Sequence, residues 1–216
     1  GGIGAASGDG GGGGGGSVKR QGRGWRKLRM AVTSMAAFRT RTVSPQDFER
    51  VRRVGEGGSA LVYLVRLRSS GELFALKVQS KKVMLKKRRR IQRALVEREV
   101  LVTCAHPFVC SLYTAFQDGR HLYLLMEWCA GGDMASMLSR VVKRTLTEGE
   151  ARFYVSELVA ALEWIHLHGF VYRDLKPENV LVHASGHIRL GDFGTAERGR
   201  DLKKVTEQKM DDSSRG

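Results

Sequence analysis

Tyr172-Arg173-Asp174-Leu175-Lys176-Pro177-Glu178-Asn179 is followed, thirteen residues after Asn179, by Asp192-Phe193-Gly194. An aspartate can act as a base, and an asparagine with a second aspartate supplies the oxygen ligands that Mg²⁺ prefers. Lys176 adds a positive charge two residues after Asp174. These two segments therefore predict a site where a proton acceptor and a metal ion act together.

The composition separates a basic N-terminal segment from the rest of the chain. The chain has 216 residues and a formal net charge of +15, and residues 1–45 carry eight Lys or Arg residues against one acid. Residues 1–16 hold eleven glycines, and such a stretch cannot bury enough apolar surface to fold, so we expect residues 1–45 to form a disordered Gly-rich and basic tail. For residues 17–45, which contain no acid, the alternative interpretation is a targeting signal for an organelle, or an arm that contacts nucleic acid or anionic lipid.

The remaining composition is typical of an intracellular protein, cytoplasmic or nuclear. Cys104, Cys110 and Cys129 are odd in number and lack the spacing of metal ligands, so we expect reduced thiols in the core. No run approaches the 18 apolar residues of a membrane-spanning helix, and no signal-peptide core is visible.

Local patterns predict a β-rich half followed by a helical half. Thr147-Glu148-Gly149-Glu150 has the form of a capping box and opens a helix that we expect to stop at Gly169. The expected boundaries are 46–128 for the first half and 129–216 for the second. Strands are predicted at 48–54, 61–67, 73–78, 109–116 and 121–127, and a helix at 88–103.

Four segments in this order carry a family resemblance: Val54-Gly55-Glu56-Gly57-Gly58-Ser59-Ala60, Phe74-Ala75-Leu76-Lys77, and the two quoted first. Residues 47–194 resemble a eukaryotic protein kinase, most closely the AGC group, the relatives of protein kinase A and Rho-associated kinase. The resemblance implies an α+β, two-lobe fold with an antiparallel β-sheet and one helix in the N-lobe and a mainly helical C-lobe.

The resemblance also implies residues that bind ATP. Gly55 and Gly57 would let backbone N–H groups approach the phosphates, although Ala60 replaces the third glycine of the loop. Lys77 would pair with the α- and β-phosphates. Around the adenine, the resemblance places Val62, Ala75, Met126 and Leu181, together with the backbone groups of Glu127 and Cys129. It places the Asp133 carboxylate at the ribose.

Lys77 needs a carboxylate to hold it, and the predicted helix offers Glu97 and Glu99. A shift of two residues turns about 200° around a helix, so only one of them can face inward. Glu99 lies nearer the apolar stripe of Ile91, Leu95 and Val102, whereas Glu97 shares a second face with Ala94 and Leu101. Periodicity leaves the choice open, and the family register selects Glu97.

In the catalytic loop, the resemblance makes Asp174 the residue that orients the substrate hydroxyl, and Lys176 the cation that stabilises the transferred phosphoryl group. Asn179 and Asp192 would bind Mg²⁺. Lys176 at this spacing is the serine/threonine form of the motif. Tyr172 would extend an apolar stack with Phe193, Leu101 and Leu112.

The sequence after Gly194 lacks the Ala-Pro-Glu motif of the family, so we expect an incomplete C-lobe. The capped helix would then lose a packing partner, leaving Tyr154, Leu158, Leu162 and Ile165 half-covered. The predicted function is Mg-ATP-dependent phosphorylation of Ser or Thr in protein substrates. The alternative is a catalytically dead kinase fragment that binds nucleotide or proteins.

Overall fold

The computed structural model describes residues 43–57, 60–140 and 145–199. The tail predicted over residues 1–45 lies outside this range, except for its last three residues. Residues 200–216 also lie outside it.

A five-stranded antiparallel sheet forms the first part of the described chain. Its order is β1-β2-β3-β5-β4, which places β3 at the centre. The central strand is buried on both faces, because apolar residues occupy consecutive rather than alternating positions from Phe74 to Leu76. The strands are β1 (Phe48–Glu56), β2 (Ala60–Leu67), β3 (Leu73–Ser80), β4 (Leu112–Gln117) and β5 (His121–Glu127).

Two helices follow β3, where the sequence predicted one. The unexpected helix α1 (Lys81–Leu85) is a single short turn that buries Met84, and α2 (Arg88–Thr103) has the predicted bounds. The apolar stripe of α2 proves to be its outer face, since Leu95 and Val102 are about 60% exposed. The buried face carries Glu97, Val100 and Leu101 instead.

The second part is built from helices and short strand pairs. Helix α3 (Met134–Arg140) is followed by α4 (Glu148–Leu167), which begins at the predicted capping box and is followed by Gly169 at φ 78°. The Glu150 N–H donates to the Thr147 hydroxyl, and the Thr147 N–H donates to the Glu150 carboxylate. The short strands are β6 (Gly132–Asp133), β7 (Phe170–Val171), β8 (Val180–Val182), β9 (Ile188–Leu190) and β10 (Glu197–Arg198), paired as β6-β8-β9 and β10-β7.

Helix α4 buries part of the face that was expected to lie half-covered. Ile165 is fully buried, which corrects that expectation, and Tyr154, Leu158 and Leu162 pack against the core while remaining partly exposed. The exposed apolar residues of α4 lie elsewhere on its surface, at Phe153, Val155, Val159 and Leu167.

One hydrophobic core spans both parts of the chain. Leu101 and Leu112 from the first part lie in the same cluster as Ile165 and Phe193 from the second. Backbone hydrogen bonds also join the first and second parts of the described chain. For example, the Cys110 N–H donates to the Leu190 carbonyl at 2.9 Å. The three cysteines are buried and free, as predicted. None of the helices in the described residues is long and apolar enough to cross a membrane.

Candidate active site

Lys77 on β3 connects the sheet, helix α2 and the Asp-Phe-Gly segment. Its Nζ donates to Glu97 Oε1 and, at 3.0 Å, to Asp192 Oδ1. Burial by itself lowers the pKa of Lys77, but the two carboxylates outweigh burial and hold that pKa above its ordinary value. The ammonium therefore stays charged throughout the neutral range.

Asp192 sits where the backbone takes an unusual conformation. Its φ of 45° is rare for a residue with a side chain, and its Oδ1 also accepts from the Gly194 N–H at 3.3 Å. Burial raises the pKa of this carboxyl, but the charge of Lys77 and these hydrogen bonds leave it below its ordinary value. The side chain is 56% exposed, so an ionised oxygen remains available to a ligand.

The catalytic-loop residues contact one another directly. Lys176 Nζ and Asn179 Nδ2 each lie 3.0 Å from Asp174 Oδ2, and Asn179 Nδ2 also donates to the Asp174 carbonyl at 2.8 Å. A 3₁₀ turn, Pro177–Asn179, places Asn179 back over Asp174. The Gly191 N–H donates to the Asn179 carbonyl at 2.9 Å, so this loop is tied to the residue before Asp192.

Arg173 ties the catalytic loop to the segment after Gly194, a contact the sequence patterns did not predict. Its φ is 66°, and its guanidinium donates from Nε and Nη2 to the Thr195 carbonyl at 2.9 and 2.6 Å. Nη1 lies 2.5 Å from Glu197 Oε2. Because Arg173 precedes Asp174, this pairing constrains the backbone that carries the acidic side chain.

Beneath the site lies the apolar stack expected around Tyr172. The rings of Tyr172 and Phe193 are 5.3 Å apart in an edge-to-face arrangement, and Leu101 and Leu112 belong to the same core. The Tyr172 hydroxyl donates to the Gly191 carbonyl, and burial raises the pKa of the phenol. The stack thus supports both the catalytic loop and the Asp-Phe-Gly segment from below.

The residues expected around a nucleotide base lie on neighbouring strands. Ala75 is opposite Met126 in the β3–β5 register, and Val62 is opposite Lys77 in the β2–β3 register. Leu181 on β8 is opposite Asp133 on β6. These pairings place Val62, Ala75 and Met126 in adjoining strands of one sheet.

Two of the expected nucleotide-binding side chains already have partners. Asp133 accepts from the Ser136 N–H and hydroxyl, both at 2.7 Å, within α3. The Glu127 carboxylate accepts from Arg189 Nε at 2.8 Å. The expected role of Glu127 depends on its backbone groups, and the ion pair with Arg189 involves only its side chain. Burial raises the pKa of the Cys129 thiol to about 12, so Cys129 is neutral.

The glycine-rich turn between β1 and β2 is closed by its own backbone. The Gly57 N–H donates to the Ala60 carbonyl at 2.8 Å, and the Ala60 N–H donates back at 3.3 Å. Gly55 lies opposite Val62 in the ladder. Residues 58 and 59 of the predicted motif fall outside the described residues.

The oxygen donors of the site suit Mg²⁺ rather than a metal held wholly by protein. Across the described residues, no group of three or more His, Cys, Asp or Glu side chains is placed to hold a metal ion. Asp192 and Asn179 supply one carboxylate and one amide, and Mg²⁺ commonly takes its other ligands from water and substrate phosphates.

The sequence matches the model of a known family. Residues 48–213 match the protein kinase domain. The chain is 48% identical over 164 residues to serine/threonine-protein kinase nrc-2 of Neurospora crassa, covering 76% of this chain and 26% of that protein. It is 50% identical over 151 residues to serine/threonine-protein kinase ppk22 of Schizosaccharomyces pombe, covering 70% and 28%.

A plant relative shows the same relationship. The chain is 45% identical over 152 residues to serine/threonine-protein kinase AGC1-7 of Arabidopsis thaliana, covering 70% of this chain and 27% of that protein. The chain thus spans about a quarter of the length of these three relatives. The chain belongs to the protein kinase domain family, and its relatives confirm the resemblance to the AGC group of serine/threonine kinases.

Proposed function

We propose that this chain transfers the γ-phosphoryl group of Mg-ATP to Ser or Thr hydroxyls of protein substrates. The observation that carries the proposal is the convergence on Lys77, whose Nζ contacts both Glu97 and Asp192. Phosphoryl transfer depends mainly on positioning and on neutralising charge, and this arrangement supplies both.

Each residue has a role that follows from its charge and contacts. Lys77 holds the phosphates of the nucleotide, and Glu97 holds Lys77. Asp174 accepts or orients the proton of the substrate hydroxyl. Lys176, hydrogen-bonded to Asp174, balances the negative charge that develops on the transferred group.

Asn179 and Asp192 would hold Mg²⁺. When bound, the ion neutralises phosphate charge and orients the γ-phosphoryl group. The lowered pKa of Asp192 supports this role, because the carboxylate is already ionised before a cation arrives.

The relatives support Ser or Thr as the acceptor, since those named above are serine/threonine-protein kinases. Lys176 two residues after Asp174 is the matching motif in this sequence. The backbone of Glu127 and Cys129 is proposed to bind the adenine edge, and Asp133 the ribose. To bind the ribose, the Asp133 carboxylate must either accept a ribose hydroxyl in addition to the Ser136 hydroxyl or give up its hydrogen bond with Ser136.

The test measures phosphate incorporation by the full 216-residue chain from Mg-ATP into a basic peptide containing one serine. Asp174→Asn and Lys77→Met variants are compared with Glu148→Gln, an exposed change on α4. We expect Asp174→Asn to lower the rate at least about 100-fold, the usual contribution of a positioned base. Glu148→Gln should match the unchanged chain.

Equal rates for the unchanged chain, Asp174→Asn and Lys77→Met would refute the enzymatic proposal. Nucleotide binding without phosphate transfer would instead favour the alternative, a kinase fragment that acts as a binding module. A peptide with alanine in place of the serine gives the background for both comparisons.

A further inference from the structure

Gln79 is a buried glutamine whose amide contacts the carboxylate that holds Lys77. It lies on the central strand β3 and is 6% exposed, and Glu97 is 2% exposed. Gln79 Nε2 donates to Glu97 Oε2 at 3.0 Å, while Lys77 donates to Oε1. Each oxygen of the carboxylate thus has its own donor.

The two donors come from one strand and one face. Side chains two residues apart on a strand point the same way, so Lys77 and Gln79 both face α2. A carboxylate with one donor can turn about its own axis, whereas two donors on separate oxygens fix its plane. The second donor is neutral, so it does not compete with Lys77 as a counter-charge.

Burying the Gln79 amide at this position of β3 is energetically unfavourable unless the amide is hydrogen-bonded. Ala75, on the same face of β3, is a buried apolar residue. Glutamine loses more side-chain entropy on burial than an apolar residue, and its polar atoms must be paired to avoid a desolvation penalty. Its contact with Glu97 is the compensation that the structure shows.

We infer that Gln79 is a positioning residue that fixes the Glu97 carboxylate, and through it the Lys77 ammonium, in the orientation that receives nucleotide phosphates. The inference rests on the proposed function. It assigns part of the preorganisation of the site to a side chain outside the kinase motifs quoted above.

The first experiment asks whether Gln79 acts through Glu97. The dissociation constant for Mg-ATP is measured for the full chain, for Gln79→Leu, for Glu97→Ala and for the double variant. The net contribution of a typical hydrogen bond is enough for Gln79→Leu to weaken binding about 3- to 10-fold. In the Glu97→Ala background, which has no side-chain acceptor for the Gln79 amide, the same change should have almost no effect.

A purely structural role predicts a different result. If Gln79 only fills space, Gln79→Leu weakens binding by the same factor in both backgrounds, or leaves binding unchanged in both. Either result would overturn the inference. Folding of each variant is checked by its unfolding transition, so that loss of folded protein is not mistaken for loss of affinity.

The second experiment uses pH and remains informative if Gln79→Leu folds poorly. Gln79→Glu places a second carboxyl beside Glu97, and a like charge raises the pKa of the pair. At low pH the shared proton replaces the amide donor, so affinity should approach that of the unchanged chain. As pH rises and both groups ionise, affinity should fall relative to the unchanged chain.

Gln117→Glu, at the exposed end of β4, is the matched control. Its affinity, expressed as a ratio to the unchanged chain at each pH, should stay constant, and the ratio also removes the titration of the nucleotide. A flat ratio for Gln79→Glu would contradict the inference. If the unchanged chain does not bind Mg-ATP, the proposed function fails first, and the two failures are therefore distinguishable.

Discussion

Replacing Glu197 by Gln should loosen the segment that follows the Asp-Phe-Gly motif. The Arg173 and Glu197 side chains are 28% and 25% exposed, so their ion pair lies between a surface pair and a buried one. Surface pairs contribute about 0–1 kcal/mol, and breaking a buried pair costs about 3–5 kcal/mol. We therefore expect a cost of about 1–2 kcal/mol, which multiplies local opening about 5- to 30-fold.

Hydrogen exchange provides the assay, because the strands β7 and β10 are two residues long and can open without global unfolding. The amides to follow lie in residues 169–173 and 195–199. The neutral glutamine keeps the size of the side chain and removes the charge.

Glu148→Gln is the matched control, since Glu148 also pairs with an arginine but both side chains are about 80% exposed. It should cost less than about 0.5 kcal/mol and leave exchange near β10 unchanged. Equal exchange near β10 in Glu197→Gln and the unchanged chain would refute the reasoning that partial burial strengthens the pair with Arg173.

Three further outcomes follow from the structure. Gly131→Ala should destabilise the chain by about 1–3 kcal/mol in urea unfolding, because a Cβ there would lie 2.8 Å from the Val182 backbone oxygen. Thr147→Ala should cost about 1 kcal/mol by the same measurement, since it removes the N-cap of α4, whereas Thr147→Ser should not. Asp192 has a lowered pKa in the folded chain, so its contribution to stability is present above the unfolded pKa of about 3.9 and is lost as pH falls through the folded pKa. Asp192→Asn should therefore reduce the fall in the free energy of unfolding on acidification. If the free energy of unfolding falls equally at low pH in Asp192→Asn and the unchanged chain, the pairing with Lys77 is contradicted.

Sequence patterns located the elements better than they located the buried faces. The bounds of α2 followed from its period, and the capping box marked the start of α4. The period did not identify the buried face of α2. Periodicity considers only apolar residues, so it misses a charged residue that is buried because it has an ion-pair partner. Glu97 is buried since Lys77 and Gln79 neutralise and hydrogen-bond it, while Leu95 lies outside.

Lys77, Glu97 and Asp192 lie together in the structure, and so do Asp174, Lys176 and Asn179, but the residues that support them were missed. Gln79 gave one weak signal, because it is a polar residue two positions after Lys77 in a mainly apolar strand. Arg173 and Glu197 gave none, because their contact depends on the path of the chain between residues 174 and 197. Short-range spacing cannot report such a pairing.

The core shared by Leu101, Leu112, Ile165 and Phe193 has a consequence for protein engineering. If only the β-sheet part were replaced by that of a relative, core side chains from two different proteins would have to pack against each other. Chimeras should therefore fold well only when all residues of this shared core come from the same parent protein.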